Sequence, residues 1–133
     1  MQLEVEVEKD LPMIRFDEAQ LKQVFLNILT NAFDAVEERS EKCVTVVVRL
    51  IKENVSVMVS DSGIGFADPE HVFDPFFSTK GVSKGSGLGL SVCYGIVRQH
   101  GGNIRAHNLS PSGSCITVEF PLAQQELALA SGS

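Results

Sequence analysis

The sequence predicts a two-layer α/β (α+β) sandwich, in which a mixed sheet of about five strands carries its helices on one face. Two observations support this prediction. With 133 residues, of which 44% are hydrophobic and 21% charged, the chain has enough apolar material for one domain with its own core. Its periodic segments follow the order strand, helix, two strands, helix, two strands, and a long glycine-rich stretch precedes the second helix.

Alternating residues near the start of the chain predict the first strand. Leu3, Val5 and Val7 alternate with glutamates, which is the pattern of a half-buried strand. A helix is predicted from near Asp17, because apolar residues then recur at helical spacing and fill one broad arc. The residues of this arc are Leu21, Val24, Phe25, Ile28, Ala32 and Val36.

Three short polar side chains interrupt this helix. Asn27, Asn31 and Asp34 fall within an arc of about 60°, although asparagine is a poor helix residue because its amide competes for backbone hydrogen bonds. A solvated face is the ordinary explanation of a polar stripe, but such faces usually consist of Lys, Glu and Arg, and after Lys22 none of these recurs in the helix until residues 37–39. The helix by itself leaves both a solvated and a functional stripe open.

A β-hairpin and a long aperiodic segment follow. Residues 43–51 and 54–60 are rich in valine and predict two antiparallel strands joined by a short turn. Residues 61–90 hold six of the eleven glycines and have no sustained period. A connection this long in a compact domain is normally functional or mobile.

The last third of the chain returns to regular patterns. Helical spacing over residues 88–100 predicts the second helix, and Gly101 and Gly102 are expected to end it. Residues 103–108 and 114–120 predict a second strand pair.

Composition limits the classes of function. The formal net charge of −6, without a cluster of basic residues, argues against a nucleic-acid surface. Cys43, Cys93 and Cys115 form no CxxC pattern, so neither a disulfide nor a zinc site is expected. No apolar run is long enough to span a membrane and the N-terminus is not signal-like, so we expect a cytoplasmic domain over residues 1–123 with no direct membrane contact, followed by a disordered tail at 124–133.

The segment DSGIGF carries the first candidate site. Asp61 falls in the same alternating row as the valines of the preceding strand, and side chains in such a row point to one face of a sheet. Its carboxylate is therefore expected to face the helix layer. Gly63 and Gly65 remove side chains beside it, so a flat ligand could lie against the backbone. A simple turn after a strand would also explain these residues, and the segment alone leaves both explanations open.

The segment GSGLGL, at residues 85–90, opens the second helix. Backbone amides at a helix start form an anion site suited to a polyphosphate, although a flexible linker is the alternative. Neither the dinucleotide-binding nor the P-loop pattern is present. Before it, three phenylalanines predict a hydrophobic anchor, and Lys80 and Lys84 predict a lid that meets phosphate, although the rings could equally be core residues. The rings are Phe73, Phe76 and Phe77.

Together these motifs resemble a known family. NILTNAFDA, DSGIGF, FDPFFSTK and GSGLGL, in this order, are similar to the N, G1, F and G2 boxes of the catalytic, ATP-binding domain of sensor histidine kinases. KGSGLGLSVCYGIVRQHGG resembles the nitrogen-regulatory type in particular. The resemblance extends from about residue 3 to residue 122 and implies the Bergerat-type ATP-binding fold of the GHKL ATPase superfamily.

The resemblance also implies roles for single residues. Asn31 is expected to ligate Mg²⁺ and Asn27 to support the same phosphate and metal end, so these two form the implied catalytic pair. Asp61 is expected to accept a hydrogen bond from the adenine amine. The ATP-binding residues implied in this way are Asn27, Asn31, Asp34, Asp61, Gly63, Gly65, Phe73, Phe77, Thr79, Lys80, Lys84, Gly85, Ser86, Gly87, Leu88, Gly89 and Ser114.

One segment departs from the family pattern. The family commonly has Gly-Thr-Thr before the last strand, and one hydroxyl helps to hold the adenine-binding aspartate. Here Gly113 is followed by Ser114 and Cys115. Ser114 is the expected partner of Asp61, and Cys115 is the candidate for the other hydroxyl position.

The resemblance further distinguishes phosphoryl transfer from hydrolysis. Superfamily members that hydrolyse ATP carry a general-base glutamate where this chain has Asn27, which cannot take a proton near neutral pH. We therefore expect transfer of the γ-phosphate of ATP to a histidine, with a response regulator downstream. A nucleotide-gated binding module and a GHKL-type serine kinase or ATPase are the alternatives.

The phosphate acceptor is expected to lie outside this chain. His71, His100 and His107 do not match the family's acceptor motif. The acceptor is therefore expected on a separate helical hairpin of the same protein, and the isolated domain is expected to be a monomer.

Overall fold

The computed structural model describes residues 1–11, 16–74 and 89–122. Within these ranges the chain forms five strands, two α-helices and one turn of 3₁₀-helix at Pro69–His71. The elements in chain order are β1 (Gln2–Val7), α1 (Glu18–Val36), β2 (Cys43–Ile51), β3 (Asn54–Asp61), α2 (Gly89–Gln99), β4 (Asn103–Asn108) and β5 (Ser114–Pro121). The predicted tail at 124–133 lies outside the described residues.

The strands form one mixed sheet in the order β1-β2-β3-β5-β4. β1 pairs with β2 in parallel, and every other neighbouring pair is antiparallel. Both helices pack on one face, which confirms the predicted two-layer sandwich. No α-helix in the described part of the chain is long and apolar enough to cross a bilayer.

Helix α1 begins and packs as its sequence predicts. Asp17 caps it, since its Oδ1 accepts a hydrogen bond of 3.0 Å from the backbone N–H of Gln20. The apolar arc of α1 faces the sheet, with four of its residues buried in the core and Leu21 and Phe25 packed beside them. The four are Val24, Ile28, Ala32 and Val36.

Helix α2 ends at the predicted glycine pair. Gly101 has a φ of 78°, and the N–H of Gly102 donates to the carbonyl of Val97 at 2.9 Å, which closes the last turn. Cys93 and Val97 are buried against α1 and the sheet. The two helices thereby form one layer.

The prediction for β1 was wrong in one respect. Leu3, Val5 and Val7 are 50%, 63% and 56% exposed, so the strand is not half-buried. β1 lies at the edge of the sheet with β2 as its neighbour, whereas α1 lies over β3. An open apolar cavity of about 210 Å³ lies between α1 and the sheet, where β2 and β3 line it. Its lining residues are Phe25, Leu29, Val46, Val48, Val57 and Val59.

Candidate functional site

A buried carboxylate stands at the end of the central strands. Asp61 is the last residue of β3 and is 6% exposed. Its Oδ1 accepts a hydrogen bond of 2.8 Å from the N–H of Gly63, and its Oδ2 accepts one of 2.7 Å from the Oγ of Ser114. Both carboxylate oxygens therefore have a donor, which offsets much of the cost of burying the group.

The neighbouring strand supplies the hydroxyl. The β3–β5 register places Asp61 directly opposite Ser114, which is also buried. The expected contact between these two residues is present. Cys115 follows on the opposite face of β5, where its Sγ lies 3.8 Å from the Oγ1 of Thr117. Of the two candidates, Ser114 thus occupies the position beside Asp61.

The two glycines after Asp61 are required by the packing of the protein itself. A Cβ on Gly63 would stand 2.5 Å from the carbonyl oxygen of Ala35, in the last turns of α1. Gly65 has a φ of 88°, a conformation that L-residues rarely adopt. The sequence associated both glycines with ligand approach, and the structure adds a second reason for the absence of their side chains.

The polar stripe of α1 is not a freely solvated face. Asn27, Asn31 and Asp34 are all half-buried. The Nδ2 of Asn27 donates to the carbonyl oxygen of Gly89 at 3.2 Å, while its Oδ1 accepts from the Nε2 of Gln23 at 3.2 Å. Asn27 therefore joins α1 to the first residue of α2, and the N-terminus of α2 lies beside the stripe.

A buried thiol makes a second contact between the helices. The Sγ of Cys93 donates to the carbonyl of Val24 at 3.3 Å, and Cys93 is fully buried. Burial raises the pKa of this thiol to about 11, because the thiolate would lose its hydration. Cys93 is therefore a neutral packing residue at physiological pH and not a nucleophile.

Only part of the predicted lid can be placed. Phe73 packs against the core, and its ring lies 6.0 Å from that of Tyr94 on α2. The other predicted residues of this region lie outside the described residues. They are Phe76, Phe77, Thr79, Lys80, Lys84, Gly85, Ser86, Gly87 and Leu88.

The three histidines occupy ordinary structural or surface positions. The ring of His100 stacks on Phe16 with centroids 3.9 Å apart, and its Nδ1 lies 2.9 Å from the carbonyl oxygen of Ile96. The Nδ1 of His71 lies 2.7 Å from Asp68, whose hydrogen bond and charge raise the pKa of the imidazole. His107 lies exposed on β4.

One contact near Asp61 had no signal in the sequence. The side chain of Asn108 makes two hydrogen bonds to the backbone of Phe66, 42 positions earlier in the chain. Asn108 ends a predicted strand and belongs to none of the four motifs. A local pattern cannot reveal a partner at this separation.

The donor set fits a nucleotide with a hard metal ion. The described residues contain no cluster of three or more His, Cys, Asp or Glu side chains that could hold a metal alone. Mg²⁺ commonly takes one or two protein oxygens and completes its shell with phosphate oxygens and water. An amide oxygen such as that of Asn31 suits this role, and Asp61 at the sheet end retains acceptor capacity for a base.

Comparison with protein families identifies the domain. The family model described as "Histidine kinase-, DNA gyrase B-, and HSP90-like ATPase" matches residues 16–124. The chain belongs to this family. Among curated relatives of this ATPase domain, sporulation kinase E of Bacillus subtilis (strain 168) is 32% identical over 93% of the chain, and sensor histidine kinase ZraS of Escherichia coli (strain K12) is 36% identical over 92%. The chain spans 17% and 26% of the lengths of these two kinases.

Solved structures agree with this assignment. The catalytic domain of histidine kinase ThkA matches 90% of this chain and 78% of its own chain, with a TM-score of 0.77 at 30% identity. The mycobacterial sensor histidine kinase MprB gives a TM-score of 0.76 at 29% identity over 90% of this chain and 80% of its own. The resemblance and the fold predicted from the sequence are thereby confirmed, and the ATPase domain is of the histidine kinase catalytic type.

Proposed function

We propose that this ATPase domain binds Mg²⁺-ATP and transfers the γ-phosphate to a histidine on a separate helical hairpin of the parent protein. The observation that carries the proposal is the buried Asp61, held by Ser114 and Gly63 at the end of the sheet in a chain of this family. A response regulator is the proposed downstream partner of the parent protein.

Asp61 is proposed to select adenine. Each of its oxygens already accepts one hydrogen bond, and each has a further lone pair for a ligand donor. The exocyclic amine of adenine is such a donor. Hypoxanthine and guanine carry an acceptor oxygen at that position, which would face the carboxylate unfavourably.

The helix end of the site is proposed to hold the triphosphate. The N-terminal amides of α2, next to Asn27, suit an anion. Asn31 would give an oxygen ligand to Mg²⁺, which neutralises phosphate charge when it is bound. The lid lysines, Lys80 and Lys84, and the glycines of GSGLGL are assigned to the phosphates from the sequence alone.

Transfer is favoured over hydrolysis because Asn27 stands where the superfamily members that hydrolyse ATP carry their general-base glutamate. Asn27 is an amide whose Nδ2 donates to Gly89, and amides do not take protons near neutral pH. An imidazole acceptor needs no such base, because its nitrogen attacks the γ-phosphorus directly while the bond to the β-phosphate oxygen breaks and ADP leaves. Positioning and charge neutralisation then suffice.

The acceptor is proposed to lie outside this chain. The ring of His100 is stacked and hydrogen-bonded, and the raised pKa of His71 reduces the neutral imidazole that could attack. His107 lies on a strand and not on a helix.

The test mixes the 133-residue chain with γ-labelled ATP, Mg²⁺ and an acceptor hairpin from the parent protein. We expect acid-labile, base-stable label on the hairpin, no label when its histidine is replaced by alanine, and slow release of inorganic phosphate without the hairpin. Tight ATP binding without transfer to the hairpin would instead favour a nucleotide-gated binding module, and acid-stable label would favour a serine kinase.

A further inference from the structure

The side chain of Asn108 makes hydrogen bonds to both backbone polar groups of Phe66, the last residue of the DSGIGF segment that begins at Asp61. The Oδ1 of Asn108 accepts a hydrogen bond of 2.7 Å from the N–H of Phe66, and its Nδ2 donates one of 2.8 Å to the carbonyl oxygen of Phe66. A neighbouring strand would satisfy a residue in the same way. The amide of Asn108 therefore provides the two hydrogen bonds that a neighbouring strand would have made, at a place beyond the end of the sheet.

Asn108 lies in one cross-strand row with the proposed adenine-binding group. The β4–β5 register pairs Asn108 with Ser114, and the β3–β5 register pairs Ser114 with Asp61. Asp61 holds the N–H of Gly63, and Asn108 holds Phe66. The segment 63–66 is thus fixed at both ends by side chains from the same row.

The middle of this segment depends on the same contact. A Cβ added to Gly65 would stand 2.9 Å from the Oδ1 of Asn108, and the positive φ of Gly65 turns the backbone toward Phe66. Loss of the amide of Asn108 would release Phe66 and leave Gly65 free to change conformation. Asp61 would keep its two hydrogen bonds, because neither involves Asn108.

We propose that Asn108 is a positioning residue of the nucleotide site, which fixes the segment 63–66 so that its backbone stands at a constant distance from the carboxylate of Asp61. The proposal rests on the adenine-binding role of Asp61 given above. Asn108 need not touch the nucleotide, because its effect is on how well the site distinguishes adenine from other purine bases such as hypoxanthine. Because its side chain is exposed, its contribution to global stability is small.

The test compares three variants of the 133-residue chain. Asn108→Ala removes both hydrogen bonds. Asn108→Asp keeps the shape and one acceptor, but it places a carboxylate oxygen against the carbonyl of Phe66. Asn103→Ala is the matched control, because Asn103 is an exposed asparagine at the opposite end of β4.

The measurements are the dissociation constants for Mg²⁺-ATP and Mg²⁺-ITP and the melting temperature. We expect the wild-type chain and Asn103→Ala to prefer ATP. In Asn108→Ala and Asn108→Asp, ATP affinity should fall about tenfold and ITP affinity should change little, so that the preference for ATP falls with it. The melting temperature should stay close to that of Asn103→Ala.

Two results would overturn the inference while the proposed function stands. One is an unchanged ATP-to-ITP ratio in both Asn108 variants. The other is an equal loss for both nucleotides together with a lower melting temperature, which would make Asn108 a purely structural residue. A wild-type chain without preference for ATP would instead reject the proposed role of Asp61, and the inference with it.

Discussion

The two ends of the candidate site are built from different kinds of structure. At the strand end, Asp61 and Ser114 are buried and opposite each other, and the carboxylate has hydrogen bonds of 2.7 and 2.8 Å. At the helix end, half-buried Asn27 reaches the carbonyl of Gly89 through one longer hydrogen bond of 3.2 Å. Backbone pairing fixes the first end, whereas side-chain contacts between two helices fix the second.

Under the proposed function, this difference would separate recognition of the base from phosphoryl transfer. A carboxylate that is held before the ligand arrives loses little freedom on binding, so the strand end can select the base at low cost. At the helix end, side-chain contacts between α1 and α2 would let the two helices adjust when a nucleotide binds, and many enzymes close around their substrates through such movements. Variants at the two ends should therefore differ in the size and in the kind of their effects.

The largest effect is expected for Asp61→Asn. The amide can still accept from Gly63 and can donate to Ser114, whose hydroxyl is able to accept, so the fold should persist. The site loses a charged acceptor for the adenine amine, and ATP affinity should fall about a hundredfold. Calorimetry with ATP measures the loss. Wild-type affinity in this variant would show that the strand end does not select the base.

Asn31→Ala should give the next largest effect, and one that depends on the metal. Loss of the proposed ligand oxygen should weaken Mg²⁺-ATP binding at least about tenfold, which is the range found when groups around a bound metal are removed. In the wild-type chain, EDTA should reduce ATP affinity, and in the variant EDTA should have little further effect. An equal EDTA response in both proteins would contradict the assignment of Asn31.

Ser114→Ala should have a smaller effect. The carboxylate of Asp61 loses one donor but keeps that of Gly63, so ATP affinity should fall about threefold. The control is Ser60→Ala, because Ser60 precedes Asp61 on the opposite face of β3 and should leave affinity unchanged. A loss as large as that of Asp61→Asn would mean that Ser114 itself contacts the ligand.

The smallest effect is expected for the rate at which Cys93, buried between α1 and α2, is chemically labelled. At pH 7.5 the Cys93 thiol, with a pKa of about 11, should hold more than about a hundredfold less thiolate than an ordinary cysteine and should react slowly. ATP should slow its labelling a further few-fold by holding α1 and α2 together. Half-buried Cys43 on β2 is the internal control, and mass spectrometry distinguishes the sites. Faster labelling of Cys93 in the presence of ATP would contradict the expectation that ATP holds the two helices together.

Local patterns were sufficient for most of the elements. The bounds predicted for β2 and β4 match the structure, and α1 buries its predicted arc, because periodicity and end signals act over a few residues. The position of β1 beside β2 depends on the whole sheet. The alternation of apolar residues and glutamates in β1 therefore predicted the strand correctly, but the predicted burial of its apolar side chains was wrong.

The same limit applies to the site. The pairing of Asp61 with Ser114 followed from motif positions, and the structure contains it. The bonds from Asn27 to Gly89 and from Asn108 to Phe66 join residues 62 and 42 positions apart, and nothing local indicates such partners. The contact of Gly63 with Ala35 was also missed, since it exists only once α1 lies against the loop.

The exposed strand β1 also affects how copies of the domain meet. Among the described residues no strand pairs with its outer edge, which runs beside Leu3, Val5 and Val7, and this combination invites strand addition by another chain. Three exposed glutamates, Glu4, Glu6 and Glu8, alternate with these residues. Two such edges brought together would place like charges side by side, so the acidic alternation protects the domain from edge-to-edge aggregation at neutral pH.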